Sequence, residues 1–114
     1  MANTHGELIH TEIHAPYTVR FYAEIEYDNP ADHFASGDDA LDREVCEKIE
    51  RGDYAWFCAH VVAEIEGIEL GHAYLGGCCY DSAEQFVSES GYYTQMVDEA
   101  IEAAEATRER IIAA

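Results

Sequence analysis

The stretch YAWFCAHVVAEIEGIELGHAYL, residues 54–75, decides the fold. Both alternating sets of positions in residues 54–65 are mostly apolar, which is typical of a central strand that is buried on both faces. Glu66-Gly67 predicts a tight turn, and residues 68–75 then form the returning strand. The centre of the chain is therefore predicted to be a β-hairpin. Small side chains, such as that of Ala59, line the face on which a helix can approach closely.

Upstream of the hairpin, the pattern predicts a polar arm, one strand and one helix. Residues 1–16 read as a flexible polar arm, and residues 17–27 alternate apolar with polar side chains, as a strand with one buried face does. A helix is predicted at residues 38–51, ending at Gly52. Its predicted buried stripe has four-residue spacing and consists of Leu41, Val45 and Ile49.

Downstream of the hairpin, the pattern predicts two helices. Gly76-Gly77 is expected to end the last strand, and a short helix follows at residues 81–89. The last helix covers residues 92–112, and its apolar stripe includes Met96, Val97, Ala100, Ile101 and Ala104. The element order β-α-β-β-α-α predicts an α+β fold, with a three-stranded, mostly antiparallel sheet and helices on one face. Residues 17–114 are expected to form a single domain.

The composition excludes several classes of partner. The 114 residues include 24 Asp and Glu against 6 Lys and Arg, for a formal charge of −18, while 48% of the chain is hydrophobic. The apolar content argues against a disordered acidic protein. The charge argues against direct binding of nucleic acid or of an anionic membrane surface. No apolar run approaches the roughly 20 residues that cross a bilayer, so a cytoplasmic protein is expected.

The negative charge is concentrated in one part of the chain. Residues 52–107 contain eleven acids and no Lys or Arg. In the helix at residues 38–51, by contrast, acids precede bases at the favourable four-residue spacing, as in Asp39–Arg43, Glu44–Lys48 and Glu47–Arg51. Self-repulsion in the cation-free span destabilises the compact state. That cost suggests that the charge has a use.

The acids of the last helix form the strongest candidate for a functional surface. They recur at three- and four-residue spacing opposite the apolar stripe and are Asp98, Glu99, Glu102 and Glu105. Such neighbours are about 5–6 Å apart at their Cβ atoms, comparable to successive phosphates along a nucleic-acid strand. A second row is expected from the strands and the hairpin, namely Glu24, Glu26, Glu64, Glu66 and Glu69. An anionic ridge of this kind can take the place of a phosphate backbone in the basic groove of a nucleic-acid-binding protein.

The cysteines and histidines show no ligand or catalytic signature. Cys46, Cys58, Cys78 and Cys79 lack the paired spacing of a zinc site and are expected to be structural thiols. A nucleophilic pair of a cysteine with a strand histidine is the alternative for them. The histidines of the arm, His5, His10 and His14, leave a loose metal site open, whereas His60 and His72 are expected to be strand residues. No metal, no cofactor and no catalytic residue is predicted.

Two segments resemble a known group of proteins. Residues 53–59 (DYAWFCA) and 74–82 (YLGGCCYDS) are similar to segments of uncharacterised small acidic proteins of bacteriophages and mobile elements. The resemblance covers residues 53–100 and rests on core and turn positions. In size and acidity the chain also resembles phage-encoded DNA-mimic inhibitors, such as anti-CRISPR and antirestriction proteins. This resemblance implies a partner among host defence complexes and transfers no residue-level role.

These observations favour a non-enzymatic inhibitor that mimics DNA charge and blocks a CRISPR surveillance complex or a restriction enzyme in the host cytoplasm. Two alternatives stay open. One is a halophilic protein whose acids hold water and ions, and the other is a small enzyme or ligand-binding domain that uses His60, His72 and a cysteine. Formation of a homodimer is also left open.

Overall fold

The chain forms four strands and three helices. The structure is a computed structural model that describes residues 5–30 and 39–113. In chain order the elements are β1 (Glu7–His14), β2 (Tyr17–Ile25), α1 (Asp39–Glu50), β3 (Ala55–Ile65), β4 (Ile68–Tyr80), α2 (Ala83–Glu89) and α3 (Tyr92–Ala113). The predicted α+β class is confirmed, and both predicted strands of the central hairpin are present.

The sheet has four strands where three were predicted. Its order is β1-β2-β3-β4, and every neighbouring pair is antiparallel. Residues 7–14, which were predicted to lie in a flexible arm, form β1 at one edge. The alternation did not reveal this strand because its apolar residues are divided between both faces. Ile9 packs against the core, whereas Ile13 is 70% exposed. Backbone pairing with β2 holds the strand in place.

One face of the sheet carries the hydrophobic core beneath α2 and α3. Phe21 of β2, Phe57 of β3 and Phe86 of α2 pack together, with ring centroids 5.3–6.3 Å apart. The stripe predicted for the last helix is confirmed, because Met96, Val97, Ala100 and Ala104 are buried and Ile101 packs against them. Burying these side chains supplies the main favourable free energy of folding.

Helix α3 lies unusually close to strand β4. A Cβ atom placed on Gly71 would collide with the backbone of Ala100 and Ala104. Glycine is therefore required here by lack of space rather than by its dihedral angles. Although α3 has 22 residues, neither it nor any other helix among the described residues is long and apolar enough to cross a membrane.

Strand β4 continues through the double glycine that was expected to end it. The pairing shifts between Phe57 and Ala59, so that one additional residue of β4 is accommodated opposite them. Gly77 has a φ of 68°, which glycine adopts without steric cost. Its backbone N–H donates to the carboxylate of Glu26. The glycines thus form a β-bulge, and the strand resumes at the buried Cys78.

Helix α1 differs from its prediction in burial. None of its residues is buried; Leu41 is 51% exposed, and Val45 and Ile49 are half-buried. The core face of the sheet is already covered by α2 and α3, so the predicted stripe has no comparable partner there. The structure shows the predicted Glu44–Lys48 ion pair at 3.4 Å. Residue 38, where the helix was expected to begin, lies outside the described residues.

Candidate functional site

The acids predicted on the last helix form an exposed row on α3, here called the acidic ridge. It consists of Asp98, Glu99, Glu102 and Glu105, all of which are exposed. The opposite side of the same helix is buried in the core. The first and last members are seven positions apart in the chain, so the ridge spans about 10 Å along the helix axis. The predicted exposure of these side chains is confirmed.

No cation neutralises the acidic ridge within the described parts of the chain. Arg108 is the next cation along α3, but its guanidinium donates to the hydroxyl of Tyr17 at 3.3 Å and lies over that ring. The side-chain amide of Gln95 donates to Glu99 at 3.2 Å and leaves its charge in place. The ridge therefore presents full negative charge to solvent.

Three of the five acids predicted for the second row lie on the other side of the sheet from the ridge. Glu24, Glu64 and Glu69 lie on the sheet face that is turned away from α2 and α3, here called the far face, as their cross-strand partners show. Glu66 lies at the tip of the β3–β4 turn, with a φ of 51°. The carboxylate of Glu26 accepts a hydrogen bond from the backbone N–H of Gly77. The predicted second row is thus divided, because the sheet separates Glu24, Glu64 and Glu69 from the ridge, whereas Glu66 lines a cavity with the C-terminal part of α3.

All three far-face acids contact basic side chains, which leaves them less free than the ridge; Glu24 contacts His60 and His5. Glu64 is 8% exposed and accepts a hydrogen bond from Arg20 at 2.7 Å. Glu69 accepts from a ring nitrogen of His5 at 2.7 Å. These acids therefore belong to local networks on the far face.

The far face carries a cluster of titratable side chains, here called the histidine cluster: His5, Glu24, His60, Glu69 and His72. Its centre is His60, which is fully buried even though it faces away from the core. The ring of Tyr74 stacks on His60 with centroids 4.2 Å apart. On another side His5 meets the His60 ring edge-on, with centroids 4.7 Å apart. Aromatic rings therefore fix the position of His60.

The contacts within the histidine cluster close into a ring. Nδ1 of His60 bonds to Glu24, and its Nε2 lies 2.8 Å from Nδ1 of His72. Nε2 of His72 lies 3.8 Å from Glu69. From Glu69 the ring returns through His5, whose Nδ1 lies 3.8 Å from the carboxylate of Glu24. Three imidazoles and two carboxylates thus contact one another in sequence.

Proton positions within this ring follow from its electrostatics. Burial lowers the pKa of His60, and the neighbouring histidines add to this effect, whereas the charge of Glu24 and its hydrogen bond oppose it. A neutral His60 that donates its Nδ1–H to Glu24 has Nε2 free to accept the Nδ1–H of His72. The nitrogen and oxygen atoms of the cluster are suitable metal ligands.

The sequence placed His60 and His72 on neighbouring strands but did not predict that they touch. Pairing across the Glu66-Gly67 turn without interruption would put His72 on the opposite face from His60. A bulge at Leu70 shifts the pairing between Glu64 and Ala63 by one residue, and this shift brings both imidazoles to the far face. A glycine such as Gly71, directly after the bulge, is the only local signal of such an irregularity.

The three histidines of the predicted arm do not come together. His5 lies over the far face, whereas Glu12 of β1 contacts His10 and His14 on the side of α3 and also accepts from the hydroxyl of Tyr93. The loose metal site that the arm left open is therefore divided between the two faces of the sheet.

The environment of Cys58, Cys78 and Cys79 disfavours their thiolates. Burial is the largest cause that raises the pKa of Cys58 and Cys79, and it raises the pKa of Cys78 to about 11. A nucleophilic cysteine requires a shift in the other direction. All four cysteines are free thiols, as predicted, and Cys46 is half-buried on α1.

In the comparisons with known proteins, no protein-family model, no curated protein sequence and no solved structure matches this chain.

Proposed function

We propose that this protein is a non-enzymatic acidic inhibitor that mimics the charge of DNA and blocks the DNA-binding surface of a host defence complex. The observation that carries the proposal is the exposed acidic ridge on α3, which no cation neutralises among the described residues. A CRISPR surveillance complex or a restriction enzyme has the required basic groove. A phage-encoded protein would meet either partner in the host cytoplasm.

The ridge is held rigidly, which favours a role in binding. Its helix is anchored by the buried side chains of Val97 and Ala100 and by the close backbone contact at Gly71. Carboxylates on a rigid helix keep their spacing when a partner approaches, so little conformational entropy is lost on binding. A flexible acidic tail would lose more conformational entropy on binding.

The charge distribution supports recognition by a basic surface. The net charge of −18 attracts a cationic groove over long range, and the ridge supplies a short row of charges for the final contact. Such complexes associate rapidly and weaken as salt rises, because screening and counterions compete with the charge pairs. The raised pKa values of the thiols support a role that does not use cysteine chemistry.

The proposal can be tested by competition against DNA. A purified CRISPR surveillance complex and a restriction enzyme are each incubated with labelled target duplex and increasing amounts of the protein, and bound DNA is measured by mobility shift. The test variant is the double substitution Glu102→Gln and Glu105→Gln. The matched control is Glu47→Gln with Glu50→Gln, which removes two exposed charges at the same spacing from α1.

We expect wild-type protein to displace DNA from at least one of these complexes, and added salt to weaken that inhibition. The ridge variant should inhibit about fivefold less, because an exposed ion pair contributes about 0.5 kcal/mol and two are lost. The α1 control should inhibit like the wild type. Equal inhibition by both double variants would show that the ridge is not the contact surface, and failure to displace DNA from either complex would contradict the proposal.

Thermal melts separate this function from the halophilic alternative. A mimic should fold at low salt, and its ridge variant should be at least as stable as the wild type because like-charge repulsion falls. A halophilic protein should instead gain stability steeply as salt approaches the molar range. If stability rises steeply with salt and neither complex loses DNA binding, the acids serve to hold water and ions, as in the halophilic alternative.

A further inference from the structure

We propose that the far face binds one divalent transition-metal ion, of which Zn²⁺ is the representative, through His5, Glu24 and His60. This site is independent of the proposed inhibitory function, since it lies on the opposite side of the sheet from the acidic ridge. The ligand set is two imidazole nitrogens and one carboxylate oxygen, which together leave a coordination position for water or an exogenous ligand.

The three candidate ligands are already gathered around a common point. Each offers a nitrogen or oxygen atom, and these atoms all lie within 4.8 Å of one another. Nδ1 of His5 lies 3.8 Å from the Glu24 carboxylate, and Nδ1 of His60 bonds to the same oxygen. Ligands at about 2.0–2.2 Å from a tetrahedral Zn²⁺ are roughly 3.4 Å apart. Small rotations of the side chains are therefore sufficient for an ion to replace the shared proton.

The second observation is that both imidazoles are supported on their remote nitrogens. Nε2 of His5 lies 2.7 Å from a carboxylate oxygen of Glu69, and Nε2 of His60 lies 2.8 Å from Nδ1 of His72. Metal-bound histidines characteristically donate their other N–H to a carboxylate or another acceptor, which fixes the ring and raises its basicity. An ion on Nδ1 of His60 therefore requires the tautomer in which Nε2–H donates to Nδ1 of His72, the reverse of the direction in the metal-free cluster. Both Nδ1 atoms thus face the Glu24 carboxylate, and both Nε2 atoms have partners.

Burial and charge also favour an ion at this point. His60 is fully buried, while the side chains of His5 and Glu24 are 19% and 27% exposed, so the pair borders solvent on one side. That side provides an entry path for the ion. Two carboxylates in the cluster and the net charge of −18 lower the free energy of a bound cation. Imidazole ligands favour Zn²⁺ and related ions over Mg²⁺ and Ca²⁺, which prefer all-oxygen sites.

The binding experiment uses the full chain after removal of metals with a chelator. ZnCl₂ is titrated in competition with a chromogenic zinc indicator, and zinc X-ray absorption reports the ligand atoms. The test variants are His5→Ala and Glu24→Gln, both at half-buried positions, so that a folding defect in one leaves the other informative. The matched control is His10→Ala with His14→Ala, which removes two histidines that lie on the other face. Circular dichroism confirms that each variant is folded.

We expect one zinc ion per wild-type chain, held by nitrogen and oxygen ligands at about 2.0–2.2 Å with no sulfur neighbour. Each test variant should bind at least tenfold more weakly, His72→Ala should lose about tenfold through its remote contact, and the double control should bind like the wild type. The proposal is overturned by sulfur ligands at about 2.3 Å, by weak binding of several ions that His5→Ala leaves unchanged, or by loss of binding in the control alone.

Discussion

Nε2 of His5 lies 2.7 Å from a carboxylate oxygen of Glu69, although 64 residues separate them along the chain. His5 precedes β1 at one edge of the sheet, and Glu69 belongs to β4 at the other edge. The first described residues therefore cross the far face above β2 and β3. A Cβ atom at Gly6 would collide with the backbone of Ala23 and Glu24, so the crossing segment lies directly on β2.

We expect the His5–Glu69 contact to contribute little stability when no metal is present. Both side chains are partly exposed, and ion pairs of this kind contribute about 0–1 kcal/mol. A double-mutant cycle with His5→Gln and Glu69→Gln, measured by urea denaturation in the presence of a chelator, should give a coupling below about 1 kcal/mol. A coupling well above this value would show that the pair acts as a desolvated structural link.

The buried face of α3 should not tolerate charge. Val97 is 3% exposed beneath the helix, and Val97→Asp would place an unpaired carboxylate in the core. We expect a loss of about 4 kcal/mol or more, which is a large part of the roughly 5–15 kcal/mol that stabilises a folded domain, so the melting temperature should fall steeply. Ala106→Asp is the matched control, because Ala106 is exposed on the same helix. Its melting temperature should stay within a few degrees of the wild type, and equal loss in both variants would contradict the packing described for α3.

Tyr93 and Glu12 should make stability depend on pH. Burial alone would raise the pKa of Glu12, but hydrogen bonds from Tyr93 and His14 and the charges of His14 and His10 outweigh it, so the pKa is lowered below 4.5. A carboxyl with a lowered pKa contributes stability above its unfolded value, and this contribution is lost as pH falls through the folded value. Tyr93→Phe removes one hydrogen bond to the carboxylate.

We therefore expect Tyr93→Phe to cost about 2 kcal/mol at neutral pH, with a smaller deficit once pH falls below the folded pKa of Glu12. Urea denaturation at several pH values between neutral and acidic conditions measures this difference. The control is Tyr92→Phe, because Tyr92 is 54% exposed and its loss of a hydroxyl should change stability by less than about 0.5 kcal/mol. A deficit for Tyr93→Phe that is constant across the acid range would contradict the link to Glu12.

The parts of the fold that could be predicted are those in which one side-chain pattern corresponds to one environment. The stripe of α3 and the two apolar sets of β3 have this property, and the exposure of the acidic ridge follows from the same helical period. Strand β1 lacks it, because backbone pairing rather than a continuous apolar face holds it to β2. Helix α1 has an apolar stripe, but no comparable apolar surface is left in the fold to cover that stripe.

The candidate sites differ in the same way. The acidic ridge needs only residues within one helix, so local spacing predicts it. The histidine cluster joins residues from the N-terminal segment, β2, β3 and β4, and its assembly depends on the bulge at Leu70 and on His5 crossing the sheet. Neither of these features has a side-chain periodicity, so pattern analysis could not predict them.

The alternation in β3 has a consequence for how the chain avoids misfolding. Val61 faces the core and His60 faces the histidine cluster, and a slip of one residue would exchange their environments. The slipped strand would bury an imidazole among apolar side chains and, at the same time, leave Glu24 and His72 facing a valine. In many half-buried strands only the core face makes a register slip costly, because the other face is exposed to water. In β3 a slip of one residue costs free energy on both faces of the sheet, so both faces favour the native register.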